Sequence, residues 1–173
     1  LRTYMDLETI DAVLLTSVHN INYFSDFIYT AFGRNYGCVI TQERLTTISA
    51  SIDGGQPRRQ TFGHDNLVYT DWHKDNFYHA VKQLLADAKN VGIEFDHITV
   101  QNSSKLKEAL PKTTFFDLSD ATMRMRMVKS DPSRFGGNFP KTGNQKLLIA
   151  TLVSTCLRVS VNGRPRLTTR GKN

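Results

Sequence analysis

Arg34 stands in the stretch FGRNYG (32–37), fenced by Phe32, Gly33, Asn35, Tyr36 and Gly37 and preceded by the apolar and aromatic run INYFSDFIYTA (21–31). A guanidinium is a planar fork of N–H donors that meets a carboxylate in two parallel hydrogen bonds. Glycines on both sides give the backbone turn chemistry beside a hydrophobic wall. By these residues alone, the favoured reading is a surface pair between Arg34 and Asp26, worth about 0.2–1 kcal/mol; a bound carboxylate is the alternative partner for such a fork.

Other residues capable of chemistry do not assemble into a known constellation. The histidines at 19, 64, 73, 79 and 97 form no HxH or HExxH pattern and have no cysteine at zinc spacing, so neither a metal nor another cofactor is expected. No GxSxG, P-loop or GxGxxG is present, and no catalytic residue is assigned. SIDGGQP (51–57), followed by Arg58 and Arg59, reads as a solvated Gly-Gly turn, with anion binding as the alternative. His19 reads as a hydrogen-bonded structural residue at a strand end. In MRMRM (123–127) the methionines are expected in the core and the arginines in solvent. Cys38 and Cys156 lie far apart and read as reduced, buried thiols.

The chain's 173 residues suffice for one ordinary domain and an appendage. Net charge is +6, but residues 1–130 carry 14 Lys/Arg against 15 Asp/Glu, whereas residues 131–173 carry 8 against 1. The texture changes at the same place: SDPSRFGGNFPKTGNQ (130–145) is rich in Pro, Gly and small polar residues, which sets a boundary between 1–129 and a basic tail, 130–173, with no reason to pack. The tail holds only Phe135 and Phe139 as aromatics, too few for a base-stacking platform, so specific nucleic-acid binding is not expected. KLLIATLVSTCLRVSV (146–161) is too short and too interrupted to span a bilayer, and a cytoplasmic location without membrane attachment is expected.

These side chains must be positioned by an α/β layer. DAVLLTS (11–17), YGCVITQ (36–42) and LTTISAS (45–51) read as strands, the last two joined as a hairpin through Glu43 and Arg44. NLVYTD (66–71), VGIEFD (91–96) and TTFFDLS (113–119) add strands. DNFYHAVKQLLADA (75–88) puts Phe77, Val81, Leu84, Leu85 and Ala88 on one helical face behind Asp75 as N-cap. SSKLKEAL (103–110) reads as a helix stopped by Pro111, and ATMRMRMVKS (121–130) as another. Alternation of this kind predicts a mixed sheet flanked by helices.

DAVLLTSVHNINYFSDFIYTAFGRNYGCVIT, ISASIDGGQPRRQTFGHDNLVYTDWHKDNFYHAV, VGIEFDHITVQN and MRMRMVKS, in this order between Met5 and Lys129, resemble the N-terminal domain of the creatinases, within the creatinase, prolidase and aminopeptidase P superfamily. HNINYFSDF, FGR, SIDGGQP, YTDW and MRMRM are its most specific pieces. The resemblance implies a homodimeric hydrolase that converts creatine to sarcosine and urea without a metal. Its catalytic histidine and guanidinium-binding carboxylates belong to a large C-terminal domain. It further implies that Phe32 and Arg34 enter the partner subunit's active site, Arg34 gripping the substrate's carboxylate and Phe32 forming an aromatic wall. The sequence after Lys129 departs from the family and shows no catalytic domain, so the chain reads as a fragment, inactive alone. The alternatives are a non-enzymatic dimerisation or binding module, or the N-terminal domain of a prolidase-like metallopeptidase.

Overall fold

The computed structural model describes residues 1–27, 33–53, 63–70 and 75–127, all within the compact unit Leu1–Lys129. Phe32, His73, Cys156, Gly54–Pro57 of SIDGGQP and the whole basic tail lie outside the described residues. The described elements are α1 (Arg2–Glu8), β1 (Ala12–Leu15), α2 (Val18–Ser25), β2 (Gly37–Thr41), β3 (Leu45–Ala50), a 3₁₀ turn (Ser51–Asp53), β4 (Asp65–Tyr69), α3 (Asn76–Leu85), β5 (Asn90–Ile93), α4 (Val100–Ala109), β6 (Thr114–Asp117) and α5 (Ser119–Met127).

The six strands form one sheet in the order β4-β3-β2-β1-β5-β6. β2 is antiparallel to both β1 and β3, while the β3–β4, β1–β5 and β5–β6 pairs are parallel. The mixed sheet expected from the sequence is therefore present, and the β2–β3 hairpin closes where Glu43 and Arg44 place it, with the Thr41 N–H donating to the Arg44 carbonyl at 2.9 Å. β1 is buried along its whole length because both sheet faces are covered, which explains its unbroken apolar run. Alternating side chains divide between two cores. Leu14, Val39 and Ile48 pack with Phe77, Val81 and Leu85 of α3 and Leu106 of α4. Val13, Leu15, Cys38 and Ile40 pack on the other face with Met5, Ile21, Phe27 and Leu118. Gly92 of β5 allows Leu118 to lie against the sheet: a Cβ there would stand 2.3 Å from Leu118 Cδ1.

Several sequence expectations are corrected. HNINYFS forms helix α2, whose N-cap Ser17 accepts a hydrogen bond from the Asn20 N–H, so His19 is an exposed residue of a helical first turn and not of a strand end. Asp26 ends that helix at φ 59° with its N–H donating to the Asn22 carbonyl, a left-handed cap that Asp tolerates. Asp75 occupies the N-cap position of α3, but its carboxylate makes no capping bond and pairs with Lys105 of α4. α4 begins at Val100, three residues ahead of Ser103, because Thr99 supplies the cap by accepting from the Asn102 N–H. On α5 the expected exposure is inverted: Met123 and Met127 are 49% and 76% exposed, while Arg124 and Arg126 are partly covered. A period of two does not match the helical period, and Thr122 holds the buried position.

Candidate functional site

A cleft of about 150 Å³ opens where β1 and β5 end and β2 begins. Thr16 and Val18, between β1 and α2, form one side; His97, Ile98 and Asn102, leading into α4, form another. Phe77 and Tyr78 of α3 line it, and Arg34, Asn35 and Tyr36 border it from the segment entering β2. Parallel strands direct their carboxyl ends and the following loops to a common edge, the usual place for ligands in α/β sheets. Gly33 adopts φ 77°, so the turn that delivers Arg34 uses the backbone freedom expected of it. Of the two residues singled out for substrate binding, Arg34 thus lies partly buried at a cleft, and Phe32 falls outside the described residues.

The walls are tied together by Glu94, whose place in VGIEFD reads in the sequence only as part of a strand. β5 stops at Ile93, and Glu94 is 1% exposed. Its carboxylate accepts from the backbone N–H groups of Thr16 (2.5 Å) and Ser17 (2.9 Å), and from the Ser17 hydroxyl and Asn20 amide side chains. Burial alone would push the Glu94 carboxyl up, but the bonds from Ser17, Thr16 and Asn20 outweigh it and hold the group below its ordinary value. Its carbonyl accepts from the Ile98 N–H at 2.9 Å, so one residue joins the Thr16–Val18 and His97–Ile98 sides of the cleft. The Asn20 side chain also donates to Thr122 at 3.3 Å, tying in α5. The signal available in the sequence was a lone acid at the end of the apolar VGI run.

The rim is polar. Tyr78 donates to the Asn102 side chain at 2.7 Å, and Lys105 Nζ lies 5.5 Å from the centre of the Tyr78 ring. Burial, and secondarily the Asp75 charge, raises the Tyr78 phenol. A second cavity of about 220 Å³ between α3 and α4 mixes Asp75, Lys82, Lys105 and Glu108, charges that offset one another. Cys38 is no nucleophile: burial pushes its thiol up to about 12, leaving almost no thiolate at neutral pH. Among the described residues no group of three or more His, Cys, Asp or Glu side chains is placed to hold a metal ion, and no helix is long and apolar enough to cross a membrane. Arg34, His97 and Asn102 bring polar side chains to the lining of the cleft, and the Asn102 side chain accepts from Tyr78.

Residues 1–128 match the family described as Creatinase/Prolidase N-terminal domain. A creatinase from Bacillus sp. (strain B-0618) is 49% identical over 135 residues, covering 76% of this chain and 33% of that protein. This chain therefore spans about a third of the length of that curated relative. Among solved structures, a proline dipeptidase from Streptococcus pneumoniae superposes with a TM-score of 0.66 at 22% identity, covering 73% of this chain and 94% of that one. The Xaa-Pro dipeptidase from Bacillus anthracis gives a TM-score of 0.64 at 25% identity, over 75% of this chain and 35% of that chain.

Proposed function

Since this chain belongs to the creatinase/prolidase N-terminal domain family, we propose that it serves as the N-terminal domain of a creatinase-like amidinohydrolase, which hydrolyses creatine to sarcosine and urea. The observation that carries the reading is the 49% identity to a creatinase, sustained over 135 residues. The fold likeness to dipeptidases at 22% identity supports the architecture alone. In this reading the enzyme is a cytoplasmic homodimer, and Arg34 crosses to the partner's active site to bind the carboxylate of creatine, with Phe32 beside it. The chemistry of bond cleavage belongs to a catalytic domain, and the chain alone releases no urea.

The geometry supports a binding role. Arg34 is delivered by a glycine turn to the edge of a cleft. Its bidentate fork fits a carboxylate as a lysine ammonium does not. The test is a chimera in which residues 1–129 replace the corresponding third of the Bacillus creatinase. Urea release from creatine by the chimera, reduced by Arg34→Ala, is the expected result. A chimera that is dimeric and active but indifferent to Arg34→Ala would overturn the assigned role, and one that cleaves Xaa-Pro dipeptides instead would favour the prolidase-like alternative.

A further inference from the structure

The segment that carries Arg34 is held from the end of β4 and from the 3₁₀ turn that follows β3. At the end of β4, the Tyr69 hydroxyl donates to the Asn35 carbonyl at 2.7 Å. On the other side the Tyr36 hydroxyl donates to the carboxylate of Asp53, in the 3₁₀ turn that follows β3. Tyr36 is 3% exposed and its ring packs against Phe27 with ring centres 6.2 Å apart, so the bond to Asp53 is the polar anchor of a side chain otherwise held by apolar packing. Burial raises the Tyr36 phenol above its ordinary range, Asp53 and Tyr69 add to the effect, and the nearby Arg34 charge opposes it. Arg34, Tyr36, Asp53 and Tyr69 thus form one electrostatic neighbourhood. Asp53 belongs to SIDGGQP, a motif for which the substrate-carboxylate reading supplies no role.

We propose that Asp53 is a positioning residue: through the Tyr36 hydroxyl it fixes the Gly33–Tyr36 segment and so presents Arg34, already ordered, to the substrate's carboxylate. The identity of that substrate rests on the amidinohydrolase reading; the brace does not. An arginine ordered before binding loses less side-chain freedom when the ligand arrives, which is how a residue that never touches substrate tightens its binding. The Asp53 and Tyr69 contacts act on different groups: one holds the Tyr36 side chain, the other the Asn35 backbone carbonyl.

The experiment uses the full chain and needs no substrate. ¹⁵N relaxation of the Arg34 Nε–Hε group, assigned by its loss in Arg34→Lys, reports the order of the guanidinium. Asp53→Ala and Tyr36→Phe should each lower its order parameter by about a third, toward the range of flexible groups. The double variant should go no lower, since both remove the same bond. Unchanged Arg34 order in both folded single variants overturns the proposal, as does a double variant that loses twice as much. Should Asp53→Ala unfold the chain, Tyr36→Phe, which removes only one oxygen, decides by the same criterion. Failure of the chimera to respond to creatine would instead strike the amidinohydrolase reading and leave this result standing.

Discussion

Glu94 and Ser17 lie 77 residues apart, yet the Glu94 carboxylate accepts both the backbone N–H of Ser17, at 2.9 Å, and its side-chain hydroxyl. The adjacency exists because β5 runs parallel to β1, pairing Ile93 with Leu14, so that the residues leaving both strands emerge side by side. A buried carboxylate in this position caps the entry to α2, where the first N–H groups have no helical partner.

Removing that carboxylate leaves buried donors without an acceptor. Glu94→Gln is expected to destabilise the chain by about 2–4 kcal/mol, since an amide offers one acceptor oxygen and turns an N–H₂ toward other N–H groups. The urea unfolding midpoint measures it. A loss below about 0.5 kcal/mol, typical of an uninvolved surface change, would contradict the assigned role.

Glu94 also sets an acid limb. Its folded-state pKa lies below the ordinary 4.5, so the unfolded chain binds more protons in this range. Its stabilisation is complete above that unfolded value of 4.5 and is lost as pH falls through the lower folded value. Urea midpoints taken from pH 7 down to pH 3 should therefore fall less steeply in Glu94→Gln than in the unaltered chain. Parallel slopes would mean that other carboxylates dominate.

At Gly92 the constraint is steric. A methyl at this site would meet Leu118 Cδ1 at 2.3 Å and Cγ at 2.7 Å, both belonging to a fully buried side chain. Gly92→Ala should cost about 1–3 kcal/mol by overpacking. Gly92→Ala combined with Leu118→Ala should cost less than the sum of the two single changes, because the clash vanishes. Strict additivity in thermal unfolding would show that the backbone moves aside instead.

For Arg34 the free energies distinguish charge from geometry. In the active chimera, Arg34→Ala should lower kcat/KM by about 2–4 kcal/mol, as for losing one partner of a desolvated charged pair. Arg34→Lys should recover only part of this. Phe32→Ala should cost less, about 1–3 kcal/mol, because it removes apolar contact. On the proposed cross-subunit reading, mixed dimers of Arg34→Ala subunits with subunits lacking the catalytic histidine should regain activity, because the intact histidine would then receive its Arg34 from the partner. Verified mixed dimers without recovery would mean that Arg34 acts within its own subunit or only structurally.

The sequence by itself determined the local elements and the residue that bears a charge in an unusual place. Strand-forming runs, the two-residue link at Glu43–Arg44, the stop at Pro111 and the glycine turn at Arg34 were legible because each is written within a few neighbouring residues. Helix α2 was not: INYF has strand-forming residue types, and what tips it is Ser17 as N-cap reinforced by Glu94. The exposure of Met123 and Met127 was likewise decided by which face of α5 packs against α2, where Thr122 meets Asn20. Glu94 looked like any acid at the end of a strand, and Asp53 like any acid in a turn. Their roles appear only when the order β3-β2-β1-β5 brings Asp53 to Tyr36 and Glu94 to Ser17. Hydrogen bonds act over about 3 Å, and proximity between residues 17 and 77 positions apart is a property of strand pairing, which no local pattern encodes.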